Sequence, residues 1–161
     1  MSIVISGASG AFGRMAAQRL LTKVEPSQLV LVTRNPAALA DLAARGVAVR
    51  FGDFDQVESL RAAFKGAEKL LLISTLDVGE RRRRQHNNAI VGALQAGVGH
   101  VIYTSSVGIH PRSPAFVIED HLFTEEALRH SGLQFTFLRD AQYAEVITTI
   151  TPATDWNLTG K

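Results

Sequence analysis

Cysteine is absent from the 161 residues. That single lack removes disulfides, thiolate metal sites and cysteine nucleophiles, and it fits a reducing compartment. Excess charge of one sign is also missing. The net is only +2, too little for a nucleic-acid footprint. No apolar run is long enough to span a bilayer. No charged region with a cleavable apolar segment precedes the first strand, which begins at Ile3. His86 and His121 lie far apart, with no carboxylate cluster at ligand spacing, so no metal site is expected. Thr104-Ser105-Ser106-Val107-Gly108 does not supply the G-x-S-x-G elbow of a serine hydrolase. The expectation left standing is one cytoplasmic domain with a sizeable core, not inserted in a membrane and not bound to nucleic acid.

What is present starts with Gly7-Ala8-Ser9-Gly10-Ala11-Phe12-Gly13. It follows the apolar run 3–6 and precedes a helical pattern over 14–21, with apolar Met15, Ala16, Leu20 and Leu21. Strand, glycine turn and helix form the setting of a dinucleotide-phosphate loop. Gly7 lets the chain turn off the strand, Gly10 lets backbone approach a pyrophosphate, and Gly13 lets the helix pack closely. Amides at the helix start, from Ala11 and Phe12 onward, would face the anion at the positive end of the helix dipole. Ser9 could add a hydroxyl donor.

Downstream, strands are predicted over 29–33, 47–51, 69–73, 100–104 and 133–138. Helices are predicted over 37–45, 57–64, 80–96 and 119–130, with a loop over 107–116 and a short helix over 141–150. Six strands alternating with helices, at intervals too long for hairpins, predict an α/β fold. The expected form is a Rossmann-type three-layer sandwich, its six-stranded parallel sheet ordered 3-2-1-4-5-6. Residues 1–150 make the dinucleotide-binding domain, and 151–161 an irregular tail.

The end of the second strand selects the cofactor in such a fold. Here it carries Thr33, Arg34 and Asn35, with no carboxylate for a ribose hydroxyl. The Arg34 guanidinium offers a planar fork for a 2′-phosphate, which favours NADPH over NADH. Asp53 could accept from the adenine amino group, or simply form a turn; Asp55 is the N-cap candidate for the helix at Val57. Hydroxyls at the carboxyl ends of the later strands, including Thr104 and Ser105, come near the reacting end. Arg81 to Arg84 point all round a helix start and read first as a solvated turn, with an anion-binding role for one or two as the alternative.

Taken together, these residues resemble the atypical short-chain dehydrogenases, and within them the NmrA-like branch that holds NADPH-dependent quinone oxidoreductases. The likeness rests on the glycine turn, Thr33-Arg34-Asn35-Pro36, Lys69 to Ser74, Gln85-His86-Asn87-Asn88, Ala96-Gly97-Val98 and Tyr103-Thr104-Ser105-Ser106. It closes with Glu119-Asp120-His121, Thr124-Glu125 and Leu138-Arg139. It implies an NADPH-binding fold, Ser74 and Thr75 as cofactor contacts, and two-electron reduction of a quinone or similar small carbonyl. By family analogy the helix over 80–96 is a homodimer surface.

Two departures qualify the resemblance. The tyrosine and lysine of the main superfamily fall on Val117 and His121, so the usual proton-transfer pair is missing. The covering C-terminal substrate lobe that the resemblance implies is expected to be absent from these residues, supplied by a partner subunit or by a longer chain of which this is a fragment, or else lacking in a protein that binds nucleotide without turnover. His121 and Tyr143 remain the catalytic candidates, His121 as a proton donor near neutral pH and Tyr143 as a shield or phenol donor. His86 is expected to pack. A non-catalytic NAD(P)-binding sensor of the NmrA type is the alternative function; sugar-nucleotide epimerisation is disfavoured by Val117.

Overall fold

The computed structural model describes residues 2–110 and 116–141. Strands β1 (Ile3–Ile5), β2 (Leu29–Thr33), β3 (Ala48–Phe51), β4 (Lys69–Leu72), β5 (His100–Ser106) and β6 (Gln134–Asp140) form one sheet. Their order is β3-β2-β1-β4-β5-β6, and every pairing is parallel. The expected order is therefore observed. It reverses direction between β1 and β4, the crevice where such folds take ligands.

The central strands are apolar on both faces because helices cover both. Val4, Val30, Val32, Leu70 and Leu72 point into one core. There they meet Leu60, Ala63 and Phe64 of α3 (Val57–Phe64) and Ala89, Ile90 and Ala93 of α4 (Gly79–Ala96). Leu128 of α5 (Phe116–His130) completes that side. Ile3, Ile5, Leu29 and Leu31 point the other way, onto Ala17 of α1 (Ala11–Leu20) and Leu42 of α2 (Ala40–Ala43). Each fully buried aliphatic side chain contributes about 1.5–3 kcal/mol. The strand ends that carry the site thus hang on a rigid frame.

Several boundaries shift. α1 starts at Ala11, three residues before the expected 14, because the glycine turn leads straight into it. Met15, expected on its apolar face, is 61% exposed; Gly13 and Ala17 make the contact instead. The helix expected over 37–45 is a 3-10 turn, Pro36–Leu39, followed by the single turn of α2. α5 begins at Phe116 rather than 119. A 3-10 turn at Pro26–Gln28, with its own Glu25–Gln28 capping box, had no apolar period to betray it. Among the described residues no helix is long and apolar enough to cross a membrane. The helix expected over 141–150, the tail 151–161 and Tyr143 lie outside the described residues, Ala141 excepted.

Candidate functional site: a cleft along the carboxyl ends of the strands

The cleft begins where β1 turns into α1. Gly7 adopts φ +63°, a conformation side chains resist. Its carbonyl accepts the Gly10 amide at 3.1 Å, and the Ala8 amide donates to the Val32 carbonyl at 3.1 Å, pinning the turn to β2. A Cβ on Gly13 would sit 2.5 Å from the Gly7 oxygen and 2.8 Å from the Ala8 Cα. The glycine is required because helix and turn touch there. A Cβ on Gly10 would meet protein only at the Gly7 oxygen, at 3.4 Å. Its remaining surroundings are open cleft. The first turn of α1 carries no acidic residue, and Gly10 caps it without a side chain. The helix start therefore presents backbone to the cleft with no built-in anion competing for it. This turn fits a diphosphate.

Ser6 ties the turn to the other side of the crevice. Its hydroxyl donates to the Leu71 carbonyl at 3.2 Å and accepts the Ile73 amide at 3.0 Å. Ser9 Oγ lies 2.8 Å from Thr33 Oγ1, which also accepts the Asn35 amide at 3.1 Å. Ser9 is thus already joined to the end of β2. The Arg34 side chain is exposed at the cleft rim and makes no hydrogen bond or ion pair with a described residue. Arg14 holds the segment after it: its guanidinium bonds Asp41 at 2.7 Å and the Ala38 carbonyl. Asp53 also lines the cleft. Its carboxylate accepts the Asp55 amide at 3.0 Å, the turn-forming role. Asp55 does not cap α3, contrary to the expectation from sequence. Gln56 holds that position, and Asp55 turns away to Gln85, Arg84 and Arg81. Those partners, Gln85 foremost, hold its carboxyl below the usual range.

At the other end, Ser74, Thr75, Thr104 and Ser105 line the same cleft of about 1160 Å³. The sequence placed all of them correctly at strand ends, yet some of their hydroxyls serve the protein. Thr104 Oγ1 accepts the Ser74 amide at 2.9 Å, and Ser105 donates to Glu125 Oε1 at 2.7 Å. Burial would raise the Glu125 carboxyl; bonds from Arg139, Ser105 and Arg129 hold it below its ordinary value instead. Thr75 Oγ1 is buried with no partner among the described residues.

A buried polar chain that the sequence did not reveal backs this end. Thr75 donates its amide to His86 Nε2 at 3.1 Å, which places the ring proton on Nδ1. Nδ1 then donates to Thr124 Oγ1 at 2.8 Å, and that hydroxyl to the Asp120 carbonyl at 2.8 Å. His86 is fully buried. Its pKa falls to about 3, through burial first and the nearby positive Arg82 second. Alongside, Arg82 Nη2 donates to His121 Nε2 at 2.9 Å, so His121 carries its proton on Nδ1, 2.8 Å from the Tyr103 hydroxyl. Burial and Arg82 lower His121 to about 4. The expectation that His121 offers a proton near neutral pH is therefore corrected: the ring is neutral there, and both nitrogens are engaged. Val117, on which the resemblance puts the tyrosine position, lines the cleft.

The solvated reading of the arginine run holds for exposed Arg81 and Arg84 but not for Arg82, and the run is paired with carboxylates. Arg81 bonds Asp55 and Asp77, Arg83 bonds Asp120 at 2.7 Å, and Arg84 bonds Asp55. Arg82 is only 5% exposed. The signal was available. Projecting the Ala89, Ile90, Ala93 stripe back along α4 by turns of three and four reaches Gln85, His86 and then Arg82.

Comparison with known proteins agrees with this geometry. Residues 7–160 match the NAD(P)H-binding family. Quinone oxidoreductase 2 of Escherichia coli K12 is 40% identical over 151 residues, covering 94% of this chain and 52% of that protein. The NmrA-like family domain-containing oxidoreductase flvB of Aspergillus flavus is 34% identical, covering 90% of this chain and 49% of that one. The crystal structure of Citrobacter sp. triphenylmethane reductase complexed with NADP(H) superposes with a TM-score of 0.87 at 39% identity, over 91% of this chain and 51% of that one. The chain spans about half the length of these relatives. With a glycine turn that fits a diphosphate and a family match from that turn onward, the chain belongs to the NAD(P)H-binding family.

Proposed function

We propose that this chain binds NADPH along the cleft and serves as an NADPH-dependent oxidoreductase whose acceptor is a quinone or a similar small carbonyl compound. The observation that carries the reading is the pairing of the bare glycine turn with Arg34, unpaired among the described residues, at the end of the neighbouring strand β2. Backbone amides at the start of α1 hold the diphosphate, and the Arg34 fork holds the 2′-phosphate. Ser74 and Thr75 orient the nicotinamide end. When bound, the cofactor supplies a hydride. The residues supply alignment and exclude water, and among the described residues neither His86 nor His121 is poised to donate a proton at neutral pH. A quinone suits such a site, because the aromatic product anion needs orientation and positive potential more than a strong acid. A homodimer through the outer face of α4 and a cytoplasmic location complete the proposal.

The sensor reading has one observation in its favour: Val117 and a neutral, engaged His121 replace the proton-transfer pair. Absorbance of the reduced nicotinamide separates the two. With purified protein, NADPH and a quinone panel, consumption above the uncatalysed rate is the expected outcome. Tight NADPH binding with no consumption on any quinone selects the sensor.

Arg34→Ala is expected to weaken NADPH about 10- to 100-fold, the worth of charge-assisted hydrogen bonds to a phosphate, while NADH changes less than about threefold. Equal losses for both cofactors in a binding titration would remove the 2′-phosphate assignment.

A further inference from the structure

A guanidinium cannot shed its proton to escape burial. A buried one therefore needs a carboxylate, or it stands as an uncompensated charge in a site of low polarity. Among the described residues Arg82 is in the second position. The carboxylates of Asp120, Glu125, Asp55 and Asp77 are each engaged by other partners. Asp120 takes Arg83 and the Gly79 amide, Glu125 takes Arg139 and Arg129, and Asp55 takes Arg81 and Arg84. Asp77 is held by Arg81 and Gln85. None of the described carboxylates pairs with Arg82, whose hydrogen bond to His121 is to a neutral ring.

Unfilled hydrogen-bonding capacity collects at the same place. Arg82 Nε, Gln85 Oε1 and Thr75 Oγ1 are all buried without a partner among the described residues. All three residues line the cleft, as do apolar Leu76, Val78 and Val117. The wall thus combines an apolar surface for a flat ring with one fixed, unneutralised cation.

We propose that Arg82 is a catalytic residue of the acceptor site: its guanidinium, held in place by His121, stabilises the oxyanion that a neutral, planar quinone-type carbonyl becomes as it is reduced. This rests on the reductase reading above. In the step, a hydride and its electron pair leave the dihydronicotinamide and bond to the acceptor. The carbonyl π pair moves onto oxygen, NADP⁺ remains, and the oxyanion later takes a proton from water. The acceptor is oxidant and NADPH reductant, so atoms and electrons balance. His121 supplies no proton; it fixes the cation. The acceptor class follows: uncharged before reaction, anionic after it.

The test uses the whole chain and Arg82→Met, with Arg82→Lys as the conservative variant. Arg82→Gln, which retains a donor for His121, stands in if the methionine form does not fold. With a reducible benzoquinone, Arg82→Met is expected to lower kcat about 100-fold, the worth of one preorganised donor to a developing oxyanion. KM for the quinone and Kd for NADPH should stay within about threefold, because neither ground state needs the cation. Arg82→Lys should recover part of the loss. Independently of turnover, protein saturated with NADP⁺ is titrated with 4-nitrophenol at fixed pH. Its absorbance should show the wild type binding the phenolate, and Arg82→Met should lower the ionised fraction about tenfold, as loss of an adjacent cation requires. Unchanged kcat together with unchanged nitrophenol ionisation would overturn the role of Arg82 and leave the reductase reading intact. If no quinone is reduced by the wild type, the reductase reading fails by itself. The nitrophenol titration then still decides whether Arg82 forms an anion site, and failure of the wild type to bind the phenolate rejects it.

Discussion

Gly13→Ala is expected to abolish measurable NADPH binding at micromolar protein and to destabilise the fold by about 1–3 kcal/mol, the usual cost of forcing an extra carbon into packed structure. The added Cβ would lie 2.5 Å from the Gly7 carbonyl oxygen and 2.8 Å from the Ala8 Cα. Both are backbone, so no side-chain rotation relieves them. Either α1 lifts from the turn or the turn itself shifts. Gly7 is fixed by its left-handed φ, and Ala8 by its bond to Val32, so the displacement falls on the amides aimed at the cleft. Gly10→Ala is the matching control. Its Cβ meets one protein atom, at 3.4 Å, and otherwise enters the cleft. It should leave the thermal midpoint within a few degrees while still weakening NADPH strongly. Differential scanning fluorimetry with and without NADPH reads both effects. Gly13→Ala protein that retains wild-type midpoint and affinity contradicts the close-contact account of the turn.

The second large effect is on acid stability. His86 and His121 have folded-state pKa values lowered to about 3 and about 4, against 6.5 when exposed. Below pH 6.5 the unfolded chain binds protons at both positions and the folded chain does not. Stability is therefore full above that pH and declines as pH falls toward the folded values. At pH 5 each histidine removes about 2 kcal/mol, from 1.36 kcal/mol per unit of pH. Together they are a large fraction of a small domain's stability. The carboxyls of Asp55 and Glu125, lowered in the folded state, add to the loss only below their ordinary range, near pH 4.5. Denaturant melts between pH 7 and pH 5 should show a steep fall, and His86→Gln should flatten its share of the slope. A flat profile down to pH 5 would mean that neither ring is buried neutral.

The fold was legible because its signals are local and periodic. Val30 and Val32 face one core and Leu29 and Leu31 the other, so β2 reads as one unbroken apolar run. Gly97, at φ +69°, caps α4 one residue past Ala96, where the sequence stops it. The places of the glycine turn and Arg34 along the cleft were legible for the same reason: each is defined by a strand end. The opposite end of the cleft was not. Tyr103 and His121 come from different elements, 18 residues apart, and Arg82 reaches them from a third. No local period links those positions. In a run of four arginines the charge pattern masks the helical stripe that turns Arg82 inward, a stripe legible only by projecting back from Ala89, Ile90 and Ala93. The helix expected over 37–45 failed for another reason. Its alanines favour helix, yet Pro36 starts a tighter turn, and only Leu39 and Leu42 have core to bury.

Calorimetric titration of the purified chain with NADPH, and in parallel with NADH, bears most directly on the cofactor cleft. One site per chain with NADPH bound at least about tenfold more tightly than NADH is the predicted result, from the phosphate held by Arg34. Equal affinities, or no heat from either cofactor, would contradict it.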